Sequence, residues 1–122
     1  MISSRQYLAD SAATAESVRA FMAEIESLGT EPTPAEMRQA GPGLRAPLAT
    51  TSEFSVRLGA ARLNDARLES QRADTAAALD GLVESMQKLT GFVEQGDRRR
   101  AAALTIRVAD RAEALRRAAG DP

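Results

Sequence analysis

The stretch Leu79-Asp80-Gly81-Leu82-Val83-Glu84-Ser85-Met86-Gln87-Lys88-Leu89-Thr90-Gly91-Phe92-Val93 decides the fold of this chain. Leu79, Leu82, Met86, Leu89 and Val93 recur at alternating steps of three and four, which aligns them along one stripe of a helix. Asp80, Glu84, Gln87 and Lys88 occupy the opposite side. Beyond Gln95-Gly96-Asp97 the same spacing returns in Leu104, Val108, Ala112 and Leu115. Glycine enters the left-handed conformation that reverses a chain after a helix. The second half therefore reads as a helix, a tight turn and a returning helix at about 98–119.

Working backward, Phe54, Leu58, Ala61 and Leu68 extend the stripe, and Thr50 with Glu53 offers a capping box, in which each side chain satisfies the other's orphan N–H. A long helix over about 51–95 is the expectation. Asp65, Arg72 and Thr75 interrupt its apolar face, so Arg62–Asp74 reads as a polar waist: a kink, a solvated stretch or a layer of paired charges. Gly59 and Gly91 are candidate breaks, since each costs about 1 kcal/mol relative to alanine.

The first helix is predicted over about 4–28. Ser3 with Gln6 fits a capping box, and Leu8, Ala12, Ala15, Val18, Met22 and Ile25 form the stripe, widened by Phe21 and Leu28. Gly29 stands where a C-terminal cap belongs. Between the helices lie Pro32, Pro34, Pro42 and Pro47. Thr33-Pro34-Ala35-Glu36 predicts a short helix over about 34–40. Gly41-Pro42-Gly43 is expected to stop it, leaving Leu44–Leu48 as an irregular packed connector.

These readings give an all-α fold in one domain over residues 1–122: an antiparallel bundle of three main helices plus a short connector helix. The 122 residues include no cysteine, no histidine and no tryptophan. Disulfides, thiolate metal sites and imidazole chemistry are thereby excluded. No nucleophile–base pair can be placed, and the Glu24/Glu26 and Asp80/Glu84 carboxylates lack the histidine partners of di-metal bundles. The chain is therefore expected to be non-enzymatic, with no cofactor, no metal and no small-molecule substrate. No apolar run reaches the ~20 residues of a membrane span. The start, Met1-Ile2-Ser3-Ser4-Arg5, lacks a signal-peptide pattern, so synthesis in the cytoplasm is expected, with any export by a leaderless route.

The net charge is −1 but unevenly spread: residues 1–96 hold nine cations against thirteen anions, residues 97–122 seven against four. Arg98-Arg99-Arg100 opens the last helix, where positive charge opposes the helix dipole. Such a cluster can contact an acidic partner. Nucleic acid is disfavoured, because Asp97, Asp110 and Glu113 dilute the basic face and no aromatic lies on it. Packing about Gly96 predicts Arg98 or Arg99 near Glu94, and Arg107 or Arg111 near Asp80 or Glu84. The expected partner-binding face is Leu79, Leu82, Met86, Leu89 and Val93 with Phe54 and Leu58, offered to a second copy or a related helical partner.

Gly41-Pro42-Gly43 in an inter-helix turn, and Leu89–Asp97 followed by Ala101–Ala103, resemble the small helical proteins of actinobacterial type VII (ESX) secretion, the WXG-like family. The resemblance is to divergent members. The Trp-x-Gly turn is absent, and the family's export signal, an aromatic followed four residues later by an acid, meets Gly96 after Phe92. What it implies is a leaderless secretion substrate or substrate partner that pairs helix on helix, with Phe92, Glu94 and Asp97 as the export-signal candidates. The alternative is a cytosolic adaptor or chaperone-like bundle that binds an acidic partner through Arg98–Arg100.

Overall fold

The computed structural model describes residues 3–119. It is an all-α bundle of four helices: α1 (Ser4–Ser27), α2 (Pro34–Ala60), α3 (Ala66–Glu94) and α4 (Arg98–Ala118). Each helix runs antiparallel to the one before it. Asp10 of α1 pairs with Arg57 of α2, Arg45 of α2 with Glu94 of α3, and Thr75 of α3 donates to the Ala118 carbonyl of α4.

The starts and stops of α1 and α4 follow local chemistry. Ser3 caps α1 by accepting from the Gln6 N–H at 3.1 Å. The box is not reciprocal, because the Gln6 amide turns down the helix to Asp10 at 2.8 Å. Gly29 and Gly96 both sit at positive φ (75° and 70°), where a side chain would be strained. Asp97 caps α4 through the Arg100 N–H. At the far end, Gln71 and Thr75 donate to the last carbonyls of α4, at Ala119 and Ala118. Those groups have no partner within their own helix.

The middle of the chain departs from the expected boundaries. The short 34–40 helix does not stop, and the long 51–95 helix does not form; α2 runs through Gly41-Pro42-Gly43 and Pro47, and the chain breaks at residues 61–65 instead. Each interior proline removes a backbone hydrogen bond and costs about 3 kcal/mol. Tertiary packing outweighs that cost. Met37, Gly41, Leu44, Leu48, Thr51, Ser55 and Leu58 are all buried, in steps of three and four that pass across both prolines. Leu44 and Leu48 are therefore core residues of α2, not an irregular return.

Gly41 and Gly43 are points of close approach rather than breakers. A Cβ at Gly41 would stand 2.9 Å from Cγ of Glu94, and one at Gly43 would stand 2.8 Å from a Glu24 carboxylate oxygen. The predicted Thr50–Glu53 box is also absent, since Thr50 lies inside α2 and donates to the Ala46 carbonyl.

The polar waist is the α2–α3 corner. Ala61 leaves α2 in an extended conformation, and Asp65 caps α3 by accepting from the N–H groups of Arg67 and Leu68. Arg72, 4% exposed, clasps the corner. Its guanidinium donates to the Leu58 carbonyl at 2.8 Å and to both Glu69 carboxylate oxygens, while Glu69 also accepts from the Leu63 N–H. The Arg72 hydrogen bonds, reinforced by the Leu63 N–H, hold the Glu69 carboxyl down at a pKa of about 2.

The core is a ladder of Tyr7, Phe21 and Ile25 from α1, Leu44 and Leu48 from α2, Leu82, Met86 and Leu89 from α3, and Val108 from α4. Thr51 and Ser17 lie within it, their hydroxyls 2.7 Å apart and each bonded to a carbonyl of its own helix. Buried polar atoms cost free energy when unpaired, and among the described residues no buried side-chain nitrogen or oxygen is. No helix among those residues is long and apolar enough to cross a membrane.

Candidate docking seam between α1 and α4

The predicted partner-binding stripe is spent inside the molecule. Leu79, Leu82, Met86 and Leu89 are 0% exposed and Val93 is 1%. Leu58 is buried on α2, and Phe54 is half-buried under the Arg57 guanidinium, 4.6 Å from its ring centre. With α2 and α3 as separate antiparallel helices, the stripe that looked unpartnered in sequence faces the chain's own α2 and α4. It is a core rather than a docking face.

The predicted ion pairs across the Gly96 turn are replaced by others. Glu94 is held by Arg45 of α2, whose guanidinium reaches both carboxylate oxygens, and that contact lowers the Glu94 pKa. Arg100 lies 3.6 Å from the Asp97 carboxylate and over the Phe92 ring at 5.8 Å. Arg98, Arg99, Arg107 and Arg111 make no ion pair among the described residues; Glu84 pairs with Lys88 of its own helix instead. The three export-signal candidates therefore share one end of the bundle, and each has a structural task there. Phe92 is half-buried, Glu94 ties α3 to α2, and Asp97 caps α4.

The apolar surface that the fold leaves uncovered lies elsewhere. Three helix pairs pack along their lengths: α1 with α2, α2 with α3, and α3 with α4. The fourth side, between α1 and α4, stays open as a groove of about 480 Å³. Its walls are Ala12 and Ala15 of α1 facing Ala112 and Ala119 of α4, and its floor is Leu58 and Leu79. A smaller void of about 80 Å³ lies farther along the same seam, between Leu28 of α1 and Ala101 of α4, over Met37 and Leu89.

Leu8, 65% exposed, precedes Ala12 and Ala15 by one and two helical turns and so lies on the same face of α1. Hydroxyls at the groove are already bonded: Ser11 donates to the Tyr7 carbonyl, Thr14 to Asp10 and Thr75 to Ala118. The groove thus offers an apolar edge whose free donors are those of the Arg19 and Arg116 guanidiniums.

The α1 stripe read from sequence consequently divides in two. Val18, Phe21 and Ile25 enter the core with Tyr7, whereas Leu8, Ala12 and Ala15 flank the seam in contact with solvent. Alanine satisfies either environment, so periodicity alone could not separate them. Against models of protein families, characterised proteins and solved structures, the chain finds no match.

Proposed function

We propose that this chain is a non-enzymatic helical interaction protein that acts by helix-on-helix docking, in the manner of a type VII secretion substrate or a substrate's partner. The open α1–α4 seam carries the docking part of this reading: it is apolar and about 480 Å³ in volume, with an exposed leucine on the same face of α1. A surface of this kind on an otherwise well-packed bundle marks a place for another molecule. The secretion part rests on the resemblance of Leu89–Asp97 to the ending of the second helix in that family. Release by a leaderless route after synthesis in the cytoplasm belongs to the same proposal.

The test is export. The chain is expressed in a host with a type VII system and in the same host lacking its secretion ATPase. It is expected in the medium only in the first, and Phe92→Ala, which leaves the Glu94 and Asp97 contacts in place, is expected to retain it in cells while preserving helical content. Retention of the unaltered chain in both hosts sinks the secretion assignment.

A second reading is favoured by the cations of α4 that make no ion pair among the described residues. An adaptor would dock an acidic partner at the start of α4, through Arg98, Arg99 and Arg100, of which Arg100 already meets Asp97 and Arg98 lines the smaller void of the seam. Such binding weakens steeply with salt and is indifferent to substitutions at the larger groove. Apolar docking in the seam has the opposite pattern.

A further inference from the structure

We propose that the α1–α4 seam seats a single acidic amphipathic helix of a different protein, not a second copy of this chain. This rests on the docking reading above and specifies its partner. The larger void runs beside residues 11–19 of α1 and 112–119 at the end of α4, and the smaller one lies beside residues 25–32 and 98–105, past the fully buried Phe21 and Val108. At 1.5 Å per residue the larger void is about 13 Å long, which takes two to three turns along one face of a helix. The hydroxyls at the groove are already bonded, so the free donors there are those of its arginines.

The charge of the seam selects the partner. Its ionisable lining residues are Arg19 of α1 and Arg116 and Arg98 of α4, with no carboxylate lining either void. Arg19 and Arg116 each meet a glutamate one turn earlier on their own helix, Glu16 and Glu113, through a single guanidinium nitrogen. A guanidinium has five N–H donors, so donors remain for a carboxylate arriving from above. Arg98 makes no ion pair among the described residues. A helix with a Leu or Ala edge flanked by Glu or Asp therefore complements both the floor and the rim.

A second copy does not. Seam against seam would set Arg98 and the already paired Arg19 and Arg116 against the same three residues, and the nearest carboxylates, Glu16 and Glu113, are those that Arg19 and Arg116 hold.

The test uses the full chain and three synthetic helical peptides of about 20 residues. All share a Leu/Ala edge, and their flanks are Glu, Gln or Lys. Binding is followed by fluorescence anisotropy at low and high salt, and the mass of the chain alone by light scattering. One variant fills the exposed seam wall, Ala15→Phe, and a second removes rim charge, Arg19→Gln with Arg116→Gln.

Saturable one-to-one binding of the Glu peptide is expected, at least ~10-fold tighter than the Lys peptide at low salt. It is expected to be lost in Ala15→Phe and weakened severalfold in the arginine pair, with helical content unchanged. If the Gln and Lys peptides bind as tightly and Ala15→Phe abolishes all three, the acidic partner is wrong while docking in the seam stands. If no peptide binds and the chain is a dimer that Ala15→Phe returns to monomer, the occupant is a second copy and the inference fails, again with docking intact. A monomer that binds none of the peptides overturns both.

Discussion

The two long sides of this bundle are built from similar residues and end in opposite states. Along α2 and α3, Leu44, Leu48, Leu82, Met86 and Leu89 meet across one interface and bury almost completely. Along α1 and α4, the groove residues include the small Ala12, Ala15 and Ala112 with Ala119 just past α4, beside Val18 and Leu115, and the helices leave a groove between them. Alanine has too little side chain to bridge helix axes that the larger core residues hold apart. The difference teaches that apolar periodicity locates a helix face, whereas side-chain volume decides whether that face closes. The closed side then stores stability, and the open side is free to serve a partner.

If the closed side is the store, its centre should respond most to truncation. Met86→Ala removes a fully buried side chain from α3 and leaves a cavity among packed neighbours. Such substitutions cost about 2–5 kcal/mol. Urea denaturation followed by circular dichroism should show the midpoint falling sharply with little change in slope. A loss of under about 1 kcal/mol would mean the core is not packed as described.

The next largest effect should come from the corner where α2 turns into α3. Arg72→Ala removes the donors that hold the Leu58 carbonyl and the Glu69 carboxylate. Leaving a buried acceptor without its donor costs about 1–3 kcal/mol. Hydrogen exchange should rise first around residues 58–72, while the centre of α3 keeps its protection. Uniform loosening of all four helices would show that the clasp is not local.

The same corner predicts a pH dependence of smaller size. Glu69 is held at a pKa of about 2 by Arg72 and the Leu63 N–H, below the ordinary carboxylate value of 4.5. A depressed carboxyl binds fewer protons in the folded state, so its stabilisation is fully present above about 4.5 and is lost as pH falls towards 2. Glu94 and Glu113 are lowered too, by Arg45 and Arg116, and add to the slope in the same direction. Glu69→Gln should flatten the stability profile between pH 4.5 and 2 relative to the unaltered chain. An unchanged slope would place the titration elsewhere.

How much of this was legible before the structure depends on how local each signal was. Ser3, the Thr33–Glu36 box, Gly29 and Gly96 act on neighbours in sequence, and each appears where the residues call for it. The course of α2 was not legible, because Gly41-Pro42-Gly43 reads locally as a stop. What overrides it is contact at long range, with Glu94 and Glu24 fitting over the two glycines and a buried stripe crossing both prolines. Arg72 was misread for a related reason. A charged residue on an apolar face looks like an interruption until Glu69 and the end of α2 are seen to meet it.

The open seam was hidden by the same limit. The stripe from Leu79 to Val93 is the strongest apolar signal in the sequence, and for that reason the chain's own helices cover it. Leu8, Ala12 and Ala15 are weaker and remain outside.

The smallest effect on stability should therefore fall at the open side, and its smallness is the informative part. Leu8→Gln replaces a side chain that is 65% exposed in the structure and solvated in the unfolded chain. Surface substitutions of this kind change stability by no more than about 0.5 kcal/mol. In the isolated chain the melting temperature should hardly move, in contrast to Met86→Ala. If a helix docks in the seam as proposed, the same variant, one turn from Ala12, should lower affinity for the Glu-flanked peptide. A destabilisation of about 1 kcal/mol or more would show that Leu8 already has a partner within the folded chain.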